Sequence, residues 1–152
     1  MSRICKIINK LDDNKYYGDM KFKHISGLVV KNKLVSVGNN HHRNSINKII
    51  VPSVHAEIHA LMKYLGSNNL NKYSKSKLKN SEIFVIRKSN DINYNGYLES
   101  RPCSECIKTF KKLEIKTVYY SDCNGNIIKE NVKNMKINYI THGNQNLLGK
   151  ID

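Results

Sequence analysis

The chain has 152 residues, of which 39% are hydrophobic. That is enough for one domain, residues 1–152, with a single sizeable core and no need of disulfide staples. Four cysteines without a framework spacing exclude a disulfide-built scaffold. No apolar run is long enough to cross a bilayer or to act as a secretory leader, so a reducing, cytoplasmic location is expected. The formal net charge of +14 comes mostly from lysine and accompanies many Asn and Ile residues. All three have codons built of A and T alone, so the charge does not by itself imply a nucleic-acid partner.

Ile4, Ile7, Ile8 and Leu11 recur at helical spacing and predict a short amphipathic first helix. The polar stretch 12–23 leads away from it. Gly27-Leu28-Val29-Val30 and Leu34-Val35-Ser36-Val37-Gly38 are two apolar runs around Lys31-Asn32-Lys33, the pattern of a β-hairpin. His41, His42 and Arg43 follow in what reads as a solvated loop. Pro52-Ser53 precedes a helical run from His55, with Ile58, Leu61, Met62 and Leu65 at helical spacing.

Residues 66–80 read as an exposed Ser/Asn/Lys loop. Ile83-Phe84-Val85-Ile86 is a buried strand by its continuous apolar character. Residues 89–101 form a polar loop, and Pro102 opens a second helix that runs from Cys103 to Leu113. Thr117-Val118-Tyr119-Tyr120 is the next strand. Two continuations are open after it. Asp122-Cys123-Asn124-Gly125-Asn126 is a turn signal that would return Ile127-Ile128 as an antiparallel strand. Alternatively, residues 128–135 form a helix leading to a last strand near Ile137-Asn138-Tyr139-Ile140. Helices alternating with strands predict a three-layer α/β/α sandwich on a mixed five-stranded sheet, with ligands bound outside the C-terminal ends of its parallel strands.

The chemistry concentrates in His55-Ala56-Glu57 and Pro102-Cys103-Ser104-Glu105-Cys106. One imidazole and two thiolates can hold zinc with the fourth tetrahedral position left to water, whose pKa then falls from about 15.7 toward about 7. Glu57 has no ligand duty and can carry protons beside that water. Both sets lie at helix N-termini, where the dipole favours thiolate over thiol. Cys103 and Cys106 alone would equally suit a redox pair or half of a structural zinc site, and His55 alone a core histidine. Glu57 and Pro102 in this context favour the catalytic site.

These two motifs resemble the zinc-dependent cytidine/deoxycytidylate deaminase superfamily, whose signature is H-x-E followed by P-C-x-x-C. The resemblance spans roughly residues 22–122. It implies a cytidine deaminase-like fold, Zn2+ as cofactor with His55, Cys103 and Cys106 as ligands, and Glu57 as catalytic proton shuttle. It implies hydrolysis of an amidine C–N bond in a cytosine nucleoside or nucleotide, with zinc-bound hydroxide attacking C4. Gly38-Asn39-Asn40 resembles the family's G-x-N, so Asn40 is an expected substrate contact, together with Ala56. Neighbouring subunits often complete the pocket in this superfamily, which implies a homo-oligomer. Free-nucleoside branches tend to end in the hairpin, nucleotide and tRNA branches in the helix; the His ligand favours the second group and the Asn-Gly turn the first.

Two alternatives stand beside this expectation. One is adenosine deamination in RNA or tRNA, although those enzymes usually have Glu-Pro-Cys where this chain has Arg101-Pro102-Cys103. Arg101 instead places a positive group that suits a substrate phosphate. The other is a non-catalytic, zinc-stabilised nucleic-acid-binding protein, supported only by the basic balance. For nucleic acid, Tyr94, Tyr97, Tyr119 and Tyr120 are the candidate stacking residues, although at least one ring of the Tyr119-Tyr120 pair belongs in a core. The lysines cluster most between Lys72 and Lys79 and in Lys108, Lys111 and Lys112. His59, one turn after His55, is read as an ordinary helix histidine.

Overall fold

The computed structural model describes residues 2–14, 23–46, 49–66, 77–89 and 96–137, the backbone alone for 42–46 and 49–54. Helix α1 (Arg3–Asp13) starts at Ser2, whose side chain accepts the Cys5 amide, and it buries Ile7, Ile8 and Leu11. Strands β1 (Lys23–Val30) and β2 (Lys33–Asn39) form the expected hairpin. Its two turn residues, Lys31 and Asn32, take φ of 50° and 67°, the left-handed pair that a two-residue hairpin loop demands. Next come β3 (His41–Ile46), β4 (Ile49–Val54) and α2 (Ala56–Leu65). They are followed by β5 (Ser81–Lys88), the short β6 (Tyr97–Leu98) and α3 (Ser104–Lys112). Finally β7 (Thr117–Ser121) and β8 (Ile127–Asn131) lead into a 3-10 turn, Val132–Asn134.

The main sheet runs β2-β1-β5-β7-β8. Parallel pairing, expected wherever helices alternate with strands, is confined to β5–β7 among the described residues; the other neighbours are antiparallel. Because β1 takes the whole length of one β5 edge, β6 pairs with Arg87 and Lys88 on the edge that β7 leaves open. The expected five-strand path is therefore present, with β6 as a sixth strand.

The apolar runs are continuous because both faces of the sheet are covered. Phe84, Ile86 and Tyr119 join Ile7, Ile8 and Leu11 on the α1 face. Ile83, Val85, Val118 and Tyr120 join Ala60, Leu61, Ile107 and Phe110 on the face covered by α2 and α3. This period-2 division produces the expected three layers. It also places both strand tyrosines in the core: Tyr119 stacks on Phe84 with centroids 4.3 Å apart, and Tyr120 is 6% exposed. Neither ring is a platform for a base. Tyr97 packs partly buried against the α1-face core, and Tyr94 lies outside the described residues.

After β7 the antiparallel continuation prevails over the helix. Asp122 Oδ1 accepts the amides of Asn124 and Asn126, each at 2.9 Å, and Gly125 supplies φ of 81°. Ile127 then packs toward the α1-face core and Ile128 toward the opposite one, an alternation that only a strand permits. Of the alternative last strand, Ile137 sits in a bend and the rest lies outside the described residues. The predicted loop after Asn40 is instead the two-stranded β3–β4 sheet. Of the predicted loop 66–80, residues 67–76 lie outside the described residues, and Leu78 is fully buried rather than exposed.

Candidate metal centre and active site

His55 and Cys103 occupy equivalent positions, each the N-cap of its helix, α2 and α3 respectively, with extended backbone. An N-cap side chain normally accepts an amide of the first turn, yet neither does so here. Freed from capping, both turn to each other and to Cys106, one turn into α3. His55 Nδ1 lies 3.3 Å from Cys106 Sγ and 3.6 Å from Cys103 Sγ, and the three donor atoms all lie within 4.8 Å of one another. Ligand bonds of about 2.0 Å from nitrogen and 2.3 Å from sulfur at tetrahedral angles would set N···S at about 3.5 Å. The observed spacing fits zinc.

The protonation pattern fits it as well. Cys103 is pulled down to about 4, chiefly by its hydrogen bond with Cys106 and further by His55. Cys106, fully buried against Cys103, is pushed well above the usual thiol range. The hydrogen bond to Cys103 raises His55 to about 9 against the effect of burial. A dication held by the three would favour thiolate at Cys103 and Cys106 and neutral imidazole at His55, as ligation requires. Glu57, 4% exposed, is raised above the ordinary carboxyl range mainly by burial, with His55 opposing.

The family model for the cytidine and deoxycytidylate deaminase zinc-binding region matches residues 2–122, more than half of the chain. The chain belongs to this deaminase family. No curated protein sequence matches it. Among solved structures it is similar to the cytidine deaminase of Burkholderia pseudomallei, at 16% identity and a TM-score of 0.56 over 92% of this chain and 100% of that one. At that identity the likeness speaks for the fold: the chain has the cytidine deaminase-like α/β architecture.

Other members of the expected site fall around this deaminase centre unevenly. Ala56 is fully buried between His55 and Glu57. Asn40 is 7% exposed, and its Oδ1 accepts the His24 amide at 3.0 Å, which fixes the chain where it leaves β2. His59 acts on the same strand end: its Nδ1 accepts the Asn39 amide at 3.0 Å, and His41 meets its ring edge-on at 4.5 Å. Burial lowers His59 to about 4, so it remains neutral and able to accept. Of the loop residues, His41 Nδ1 lies 3.0 Å from Asn39 O, while the His42 and Arg43 side chains lie outside what is described. Arg101 Nε stands 3.9 Å from Glu130 Oε1, and Glu130 also accepts the Tyr120 hydroxyl. Its charge is thereby engaged within the protein.

Two positioning elements act through close contacts that the sequence does not show. Gly38 lets β2 lie directly against the backbone of α2's first turn. Ser36 Oγ donates to Ala60 O at 2.8 Å, and Lys63 Nζ to Val37 O at 2.7 Å, so β2 is strapped along that helix. The second is Ser100, three residues before Cys103 and 3% exposed. Its hydroxyl donates to Val85 O at 2.9 Å, accepts the Ser121 amide at 2.8 Å and meets Ser121 Oγ at 2.7 Å. A hydrophilic serine in a loop gives no signal in sequence that it is locked between two strands. Ser100→Ala leaves the buried Ser121 amide and Val85 carbonyl short of a partner, at a cost of about 1–3 kcal/mol. Urea denaturation should show that loss, and zinc should leave the variant faster when a chelator is added. Unchanged zinc release would show that Ser100 does not position Cys103.

Proposed function

We propose that this family member is a zinc-dependent hydrolytic deaminase of a cytosine nucleoside or nucleotide. The observation that carries the reading is the convergence of His55, Cys103 and Cys106 beside a buried carboxyl, Glu57, that the cluster does not need as a ligand. Zinc held by those three residues supplies Lewis acidity that lowers the pKa of the attacking water.

Glu57 moves the protons. Its raised pKa makes its carboxylate a better acceptor for the proton that water loses on attacking C4. The same carboxyl passes that proton to ring N3, then takes the second proton from the new C4 hydroxyl and gives it to the amino group, so that the C4–N bond breaks, ammonia leaves and uracil remains. Ala56 and Asn40 are the proposed substrate contacts, Asn40 being held against the start of β1 by the His24 amide. Assembly as a homo-oligomer in the cytoplasm belongs to the same proposal; no described helix is long and apolar enough to cross a membrane.

The antiparallel β8 supports this reading, in its free-nucleoside form, over adenosine deamination in tRNA, since the resemblance associates that hairpin with free-nucleoside enzymes. Arg101 in place of glutamate supports it too. Zinc-loaded protein is expected to release ammonia from at least one of cytidine, deoxycytidine and their monophosphates. Release from none of these, but from adenosine-containing tRNA, would transfer the proposal to the RNA branch. Silence with all of them, and with single-stranded DNA and RNA, would leave a zinc-stabilised binding protein.

A further inference from the structure

One lysine from each of the two clusters that the deaminase site does not absorb reaches the same place. Lys79, from the turn before β5, and Lys111, from the end of α3, line a single cavity of about 940 Å³ together with Lys116 and Lys133. Ile115 and Val132, 3% and 2% exposed, form its apolar part, and Glu114 is the one acidic residue lining it. None of the four lysines is in an ion pair among the described residues.

The rim is tied together by backbone. The Lys116 amide donates to Ser81 O at 3.1 Å, and its carbonyl accepts the Val132 amide at 3.0 Å. Lys111 Nζ donates to Lys133 O at 3.3 Å, which joins the end of α3 to the 3-10 turn. The backbone that carries these lysines, all but Lys111 exposed, is therefore fixed, and Lys111 Nζ is held as well. The cavity lies at the C-terminal end of α3, whereas Cys103 and Cys106 lie at its N-terminal end. Lys111 follows Cys103 by eight residues and Cys106 by five, about 12 and 7.5 Å along the axis at about 1.5 Å per residue.

We propose that this cavity binds a chain of phosphate groups, either the polyphosphate of a free nucleotide or consecutive phosphodiesters of a polynucleotide. Four lysines from four separate segments exceed what one monophosphate can engage, and the volume lies in the range of ligand pockets rather than of single-ion sites. The inference does not depend on the deaminase reading, because it uses none of the residues at the metal centre.

The test compares Lys111→Gln/Lys133→Gln and Lys79→Gln/Lys116→Gln with a control of equal charge loss, Lys6→Gln/Lys10→Gln on α1, which covers the opposite face of the sheet. Inorganic tripolyphosphate and a labelled oligothymidylate serve as probes on the zinc-loaded full chain. Each cavity variant is expected to weaken tripolyphosphate binding at least tenfold, and the control less than twofold, with zinc content and ammonia release unchanged throughout. Parallel weakening of the oligothymidylate, with a shallower salt dependence, identifies the polynucleotide form; loss confined to tripolyphosphate identifies the free nucleotide form. Absence of tripolyphosphate binding in the wild type, or equal weakening in the control and both cavity variants, overturns the proposal. Two cavity pairs are used so that misfolding of one, seen by circular dichroism, leaves the other to decide.

Discussion

Glu57→Gln is expected to abolish ammonia release, by about 10⁴-fold or more in kcat, while zinc stays near one ion per chain. A single positioned acid–base group contributes about 10²–10⁴, and here the same carboxyl serves successive transfers, so its loss falls at or beyond the upper end. Gln keeps the volume and removes only the titrating group. Stability should be retained or increased, because burial already penalises the charged form of Glu57 and the amide has no charge to bury. Zinc analysis, a thermal melt and an ammonia assay on one preparation separate the outcomes. Turnover within tenfold of wild type would remove Glu57 from the proton path. Loss of zinc together with turnover would instead make Glu57 part of the metal's support.

How much of this was legible in the sequence depended on how locally each feature is encoded. The metal cluster was readable because His-x-Glu and Cys-x-x-Cys each sit within one helical turn, and only one long-range meeting, His55 with the two cysteines, had to be inferred. The sheet was readable where side chains alternate between two cores, as at Ile83 to Ile86. The end of the fold was ambiguous because Ile127, Ile128, Val132 and Met135 satisfy both a helical and a strand spacing. The Asp122 carboxylate, by capping its own turn, decides between them. What stayed hidden depends on close approach between distant segments. Ser100 and Ser121 look like ordinary polar residues until β5, β7 and the approach to Cys103 are brought together. The lysine clusters likewise look like solvated faces until Lys79 and Lys111 share a cavity.

Gly38 was visible as the first residue of the G-x-N segment, but its close approach to α2 was not, and its replacement is the second large effect. A Cβ at Gly38 would stand 2.6 Å from Ala56 O and 3.0 Å from Ala60 Cα, and closer still to Ala60 N. All of these are backbone atoms of α2's first turn, so no side chain can rotate away and either β2 or the helix must retreat. Overpacking of this kind costs about 1–3 kcal/mol, which for a domain of this size lowers Tm by roughly 2–12 °C. The functional cost is expected to be larger than the thermal one. The displaced turn contains Glu57, and a shift of about 1 Å in a reacting group can cost about 10²-fold. Gly27→Ala is the matched control. Its Cβ would also crowd, at 2.8 and 2.9 Å, but against the terminal methyls of Leu34 and Leu11, which can move. Gly38→Ala should therefore lose about 10²-fold in kcat while remaining folded by circular dichroism, and Gly27→Ala should lose less stability and keep its turnover. Equal behaviour of the two variants would mean that the contact between β2 and α2 does not set the position of Glu57, and that the G-x-N segment serves the site through Asn40 alone.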